Sequence, residues 1–195
     1  MTSKSIQLKK TPICIYFFKD QIPEELKKIP FEEFASYSVL KKDDKIHLNL
    51  EKISKLNILQ KNYKLLLIGK AINKYCKSGD FFIDYYGCKQ TDVKNLVFGW
   101  NLANYDFNKF QSKKLQKKNP KIFHESNNEI GLLTESYFFI RDLINTPANI
   151  LGPKEIFNEA KKFLKKFALA HFVVGKKLEK NFPLISAVGQ GADDS

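Results

Sequence analysis

Residues 13–18 (ICIYFF) form an unbroken apolar, β-prone run, and this stretch constrains the fold more than any other. A strand with no polar alternation must be covered on both faces, as in a parallel sheet sandwiched by helices. Residues 65–68 (LLLI), closed by Gly69, and residues 81–86 (FFIDYY), closed by Gly87, read as two more buried strands, and residues 120–123 as a last one. Helices fill the intervals. Residues 23–29 start on Pro23 with acids following, a favourable first turn. Residues 71–77 read as a second helix. A third is capped by Thr91 or Asp92 and carries an apolar stripe of Val93, Leu96, Val97, Trp100, Ala103, Asn104 and Phe107 at three- and four-residue steps. The charged stretch 113–119 reads as a loop. Strands alternating with helices predict an α/β layer domain over residues 1–128.

After Ser126, Asn127 and Asn128 the period changes. Ile130, Leu133, Tyr137, Ile140 and Ile144 make a regular helical seam, and Thr146-Pro147 ends it, because a residue before proline is pushed out of the α region. This predicts a connecting helix over residues 129–146. From 147 to 195 a second α/β unit begins. Its helix starts at Pro153 with a stripe of Ile156, Phe157, Ala160, Phe163, Leu164 and Phe167. A strand follows over residues 169–174, then a short basic helix, then a strand over residues 184–188 closed by Gly189.

Composition narrows the function. The formal net charge is +12, yet Arg141 is the only arginine among 33 basic residues. Bidentate readout of phosphate and guanine edges favours arginine, so the lysine surplus reads as a solvated surface rather than a nucleic-acid interface. No phosphate-binding glycine motif is present. Cys14, Cys76 and Cys88 are odd in number and include no C-x-x-C pair, so neither a disulfide framework nor a zinc knuckle follows, and free thiols in a reducing compartment are expected. The first apolar run is only six residues and is flanked by charge, so it reads as a strand rather than a leader. No run approaches the ~20 residues of a membrane span. A cytoplasmic protein without a membrane partner is expected.

Three segments carry a resemblance. The run Arg141-Asp142-Leu143-Ile144-Asn145-Thr146-Pro147-Ala148-Asn149, followed by Gly152-Pro153, resembles the R-D-L-x-N-x-P-x-N segment of the leucine (cytosol) aminopeptidase family. Asn181-Phe182-Pro183-Leu184-Ile185 with Ala187-Val188-Gly189 is similar to that family's N-F-P-x-I-x-A-V-G. A weaker echo, residues 99–107 (GWNLANYDF), is similar to its G-x-x-L-x-x-Y-x-F helix. The three stand in family order over residues 95–192.

The resemblance implies a macro-like α/β N-terminal domain, a connecting helix, and the first β-α elements of an α/β/α catalytic domain. It implies a homo-hexamer that holds two divalent metal ions, manganese or zinc, and removes N-terminal amino acids from peptides. The family's metal-binding stretches, G-x-x-F-D-[ST]-G-G and N-T-D-A-E-G-R-L, are absent here. No catalytic and no metal-ligating residue therefore carries over, and the chain alone is expected to bind no metal and to be inactive.

The signature residues Arg141, Asp142, Asn145, Pro147, Asn149, Gly152, Pro153, Asn181, Pro183 and Gly189 read as structural. Arg141 bridges a domain junction, Asn145 caps the helix end and Asn149 holds the next loop by an Asx turn. His47, His124 and His171 lack metal-ligand spacing, and Asp193-Asp194 read as solvated carboxylates. The competing readings are a nucleotide- or nucleic-acid-binding module and a non-catalytic regulatory subunit.

Overall fold

The computed structural model describes residues 10–110, 119–165 and 171–189. The run that opens the sequence is the central strand, β1 (Thr11–Tyr16). It pairs in parallel with β4 (Lys45–Asn49) on one side and β5 (Asp80–Tyr86) on the other, and β5 pairs in parallel with β6 (Lys121–Phe123). Two strands unforeseen in the sequence, β2 (Glu32–Glu33) and β3 (Ser38–Lys42), add antiparallel to β4. The sheet order is β2-β3-β4-β1-β5-β6. Asp43 and Asp44 close the β3–β4 hairpin with φ of 50° and 57°. Positive φ at both central residues is the tight turn whose twist matches the strands, and Asp tolerates it.

One face of the sheet presents Ile13 and Ile15 of β1 and Leu48 of β4, all at or below 1% exposure. They pack with Leu65, Ile68 and Ile72 of α3 (Ile58–Cys76) and Val93, Leu96, Val97 and Trp100 of α4 (Gln90–Leu102). The opposite face presents Cys14 and Tyr16. A 3-10 turn (Lys19–Gln21) and the short α1 (Glu24–Lys27) bring Ile22 and Leu26 against them. Alternate residues of β1 thus enter different cores, as the uninterrupted apolar run requires. α2 (Glu51–Ser54) leads from β4 into α3.

Several sequence expectations are corrected. Residues 65–68 are not a strand; they lie inside the 19-residue α3. Leu65, Ile68 and Ile72 are buried while Leu67 is exposed, so the spacing is helical, and a four-residue apolar run is too short to reveal it. α4 stops at Leu102, short of Phe107. Its N-cap is Lys89, whose N–H donates to Asp92 Oδ2 at 3.1 Å, so Asp92 caps by reaching back from the third position. Asp92 is buried and is also paired with Lys61 at 2.9 Å. The long helix α5 (Asn127–Asn145) forms, and within the first unit it buries Ile130 and Thr134, while Leu133, Tyr137, Ile140 and Ile144 of the seam are exposed.

The chain divides into two compact units between Phe138 and Phe139, inside α5. The described residues of the second unit are helical: the end of α5, α6 (Pro153–Leu164), α7 (Lys176–Asn181) and α8 (Pro183–Gly189). Residues 184–188 are therefore helix rather than strand, and residues 171–174 have no strand pairing. A strand needs a neighbour for its N–H and C=O groups, and no other strand is present among the described residues of this unit; a helix satisfies those groups internally. Residues 169, 170 and Phe167 lie outside the described residues, as do residues 113–118 and Asp193-Asp194.

His47 titrates against this fold. It is 6% exposed in β4, stacks on Tyr16 with centroids 6.0 Å apart, and its Nδ1 lies 3.1 Å from the Tyr16 hydroxyl. Burial, with help from Lys45, lowers its pKa below the usual 6.5; burial lowers that of His124 too. Below about pH 6.5 the unfolded chain takes up protons that the folded chain refuses. Stability is therefore full above that pH and falls as pH drops, until the folded values are reached. The expected slope approaches about 1.4 kcal/mol per pH unit for each histidine. Denaturation midpoints at pH 7, 6 and 5 should fall less steeply for His47→Gln than for the parent; parallel slopes would exclude His47 as a cause.

Candidate functional site

The signature segment forms the end of α5, a turn and the start of α6. α5 ends because Pro147 follows Thr146. Thr146 then closes the helix. Its N–H donates to Asp142 O at 3.0 Å and its hydroxyl to the same carbonyl at 2.7 Å. Thr146 is 8% exposed, so these carbonyls are satisfied away from bulk water. Thr146 thus caps the helix end beside Asn145, of which capping is expected. The carbonyl of Pro147 accepts from Ile150 N and Leu151 N at 2.9 and 3.0 Å, closing a single turn around Asn149. Glu155 Oε2 accepts from the Gly152 N–H at 3.2 Å, and Pro153 takes the first helical position, where its missing N–H costs nothing.

Arg141 is half-buried, and Asp142, Asn145, Pro147 and Asn149 are exposed. Arg141, Asp142 and Asn145 are each engaged by a partner. Phe139 and Phe163 stack at 4.3 Å and join the two helices. Asn181, Pro183 and Gly189 mark the last residue of α7 and the first and last of α8. This geometry holds a chain reversal.

The first unit has the other place where an α/β sheet binds ligands, the crevice at the carboxyl ends of β1 and β5, from which the chain leaves toward opposite faces. Gln21 fills it. Its Oε1 accepts from the N–H groups of Phe17 and Phe18 at 3.2 Å each. Gly87, at φ +69°, lies so close that a Cβ there would fall 1.9 Å from Gln21 Nε2. The backbone donors that could meet a phosphate are thus already used, which weighs against a nucleotide module. No sequence signal marked Gln21.

All three cysteines are free. Burial pushes Cys76 and Cys88 up to about 12, and burial with Asp84 raises Cys14, so none offers a thiolate near neutral pH. Among the described residues, no group of three or more His, Cys, Asp or Glu is placed to hold a metal ion. These residues do not fit the metal pair that the resemblance implies.

Fold and site together define the class: an α/β domain on a mixed six-stranded sheet, joined through a long helix to a helical second unit. No protein-family model matches the chain. A probable cytosol aminopeptidase of Clostridium perfringens is 26% identical over 148 residues, covering 65% of this chain and 30% of that protein. The cytosol aminopeptidase structure from Coxiella burnetii superposes with a TM-score of 0.63 at 21% identity, over 95% of this chain and 42% of the other. The bottromycin maturation enzyme BotP, in complex with Mn, gives a TM-score of 0.56 at 11% identity, over 88% of this chain and 40% of the other. The chain resembles the N-terminal portion of the leucine (cytosol) aminopeptidase family, as its three signature segments implied. It spans less than a third of the length of the curated relative it matches.

Proposed function

We propose that the protein to which this sequence belongs is a metal-dependent aminopeptidase that removes N-terminal amino acids from peptides. This chain supplies its N-terminal domain, over residues 1–128, the connecting helix, over residues 129–146, and the opening of its catalytic domain from residue 147. The observation that carries the reading is the 148-residue similarity to a cytosol aminopeptidase, which agrees with the signature segments. A pair of divalent ions, manganese or zinc, would polarise the scissile carbonyl and activate water. In this reading the chain's part is to position rather than to react, because the family's metal-binding stretches match none of its residues. The reversal at residues 141–155 fixes where α6 begins relative to α5, and the signature residues act there as scaffold. A homo-hexamer in the cytoplasm belongs to the same reading. No helix of the described residues is long and apolar enough to cross a membrane.

The test is hydrolysis of leucine p-nitroanilide. The whole reading frame, stripped with chelator and refilled with Mn²⁺, is expected to release the chromophore, whereas residues 1–195 alone stay at the uncatalysed rate. Activity in the 195-residue chain would refute its silence. No metal-dependent release from the whole frame would refute the aminopeptidase reading.

A further inference from the structure

We propose that a cleft beside β3 and β4 in the first unit binds a free α-amino acid with an apolar side chain. The cleft has a volume of about 400 Å³, within the range of small-molecule sites. Its floor is the Ser38–Asn49 pair, which lie opposite each other at the start of β3 and the end of β4. Ser38 is only 2% exposed, yet its hydroxyl has no hydrogen-bond partner among the described residues. Asn49 accepts the Glu51 N–H on its Oδ1 at 3.0 Å, and its amide nitrogen makes no hydrogen bond among the described residues. Among those residues no fully buried side-chain nitrogen or oxygen is left unsatisfied, so these two donors stand out because they open onto the cleft. Both groups face the open cleft, where a ligand carboxylate can accept from them in place of water.

The walls fix the ligand class. Lys52 is committed to Glu33 at 2.5 Å and to the Phe34 carbonyl at 2.7 Å, and Lys27 to Glu24. Lys19 and Glu51 also line the cleft, and neither forms an ion pair among the described residues. One spare cation and one spare anion around an amide-and-hydroxyl floor match a zwitterion. Ile22, Ile29 and Phe31 form the remaining wall, which suits an aliphatic side chain. A purely anionic ligand such as phosphate would leave Glu51 repelling it. The inference rests on the cleft alone and does not require the aminopeptidase reading.

Titration calorimetry of the 195-residue chain tests it with five probes: L-leucine, glycine, 4-methylpentanoate, isopentylamine and inorganic phosphate. Leucine should bind saturably with Kd on the order of 1 mM. The other four, each lacking the side chain or one charge, should bind at least about tenfold more weakly. Lys19→Met and Glu51→Gln should each weaken leucine about tenfold or more, since each removes a charge-assisted bond. Both positions are exposed, so Trp100 fluorescence should show an unchanged denaturation midpoint. Ser38→Ala should weaken leucine by a factor of about five. No saturation by leucine at millimolar concentrations, equal binding of 4-methylpentanoate, preference for phosphate, or full affinity in both charge variants would each overturn the proposal.

Discussion

Replacing Gly69 with alanine is expected to cost the first unit about 2–4 kcal/mol, whereas the same replacement at Gly131 is expected to stabilise by up to about 1 kcal/mol. Both glycines lie within helices. An alanine Cβ at Gly69 would sit 2.0 Å from Leu96 O and 2.8 Å from Trp100 N. Gly99 answers from the other helix, where a Cβ would sit 2.0 Å from Leu66 O. α3 and α4 therefore cross backbone against backbone, close enough for Cα–H···O contacts. The atoms in the way are main-chain, so no rotamer change relieves the clash and the helices must part, which unpacks Leu96 and Trp100 together. At Gly131 nothing lies within 4 Å, and alanine gains only helix propensity. Trp100 is the sole tryptophan, so its fluorescence during urea denaturation reports on the first unit alone, which avoids treating two units as one transition. Equal midpoints for the two variants would remove the argument for a backbone-limited crossing.

Gly69 also shows why part of the fold was illegible in the sequence. A glycine after Leu-Leu-Leu-Ile looks like the end of a buried strand, and the true reason for it, another helix at van der Waals range, is not a local property. β1 was legible because a six-residue apolar run flanked by turn residues has few other uses, and β5 because its aromatic, β-prone run is closed by Gly87. The β3–β4 hairpin was within reach: Ile46, Leu48 and Leu50 alternate with polar residues, and Asp43-Asp44 supply the turn. The opposite error occurred at residues 184–188. There a β-prone run forms α8 because strand formation depends on neighbours, and none lies among the described residues of its unit.

The signature segments were legible as a helix end, a turn and a helix start, though not atom by atom. The segment 141–153 holds a reversal, in which Thr146 bonds the Asp142 carbonyl and Glu155 the Gly152 N–H. Within the weak echo over residues 99–107, three residues have structural roles. Gly99 is a helix-crossing glycine and Trp100 is core. Asn104 is a hydrogen-bond hub, accepting from Asn73 Nδ2 at 2.9 Å and donating to Pro120 O at 3.2 Å. Gln21 and Ser38 gave no sequence signal, because a plug and an unpaired hydroxyl are defined only by what surrounds them.

Trp100→Ala is expected to destabilise the first unit by about 3–5 kcal/mol, and Trp100→Phe by about 1–2 kcal/mol. The side chain is fully buried and meets the edge of Phe81 at 5.4 Å. Its Nε1 donates to Pro120 O at 3.1 Å, which fastens the approach to β6 onto α4. Alanine leaves a cavity between two helices already in backbone contact at Gly69 and Gly99, so the surroundings cannot collapse into it, and the cost should lie toward the upper end of the range. Phenylalanine restores most of the volume and loses only the N–H. Pro120 O keeps its bond from Asn104 and is not orphaned, which limits that loss to roughly one hydrogen bond. The readout is far-ultraviolet circular dichroism in urea, since both variants lack the fluorophore, with the parent's fluorescence midpoint marking the transition that belongs to the first unit. If the two substitutions cost the same, the Pro120 bond rather than the packing of the indole dominates, and the α3–α4 crossing has room to adjust that its glycines deny.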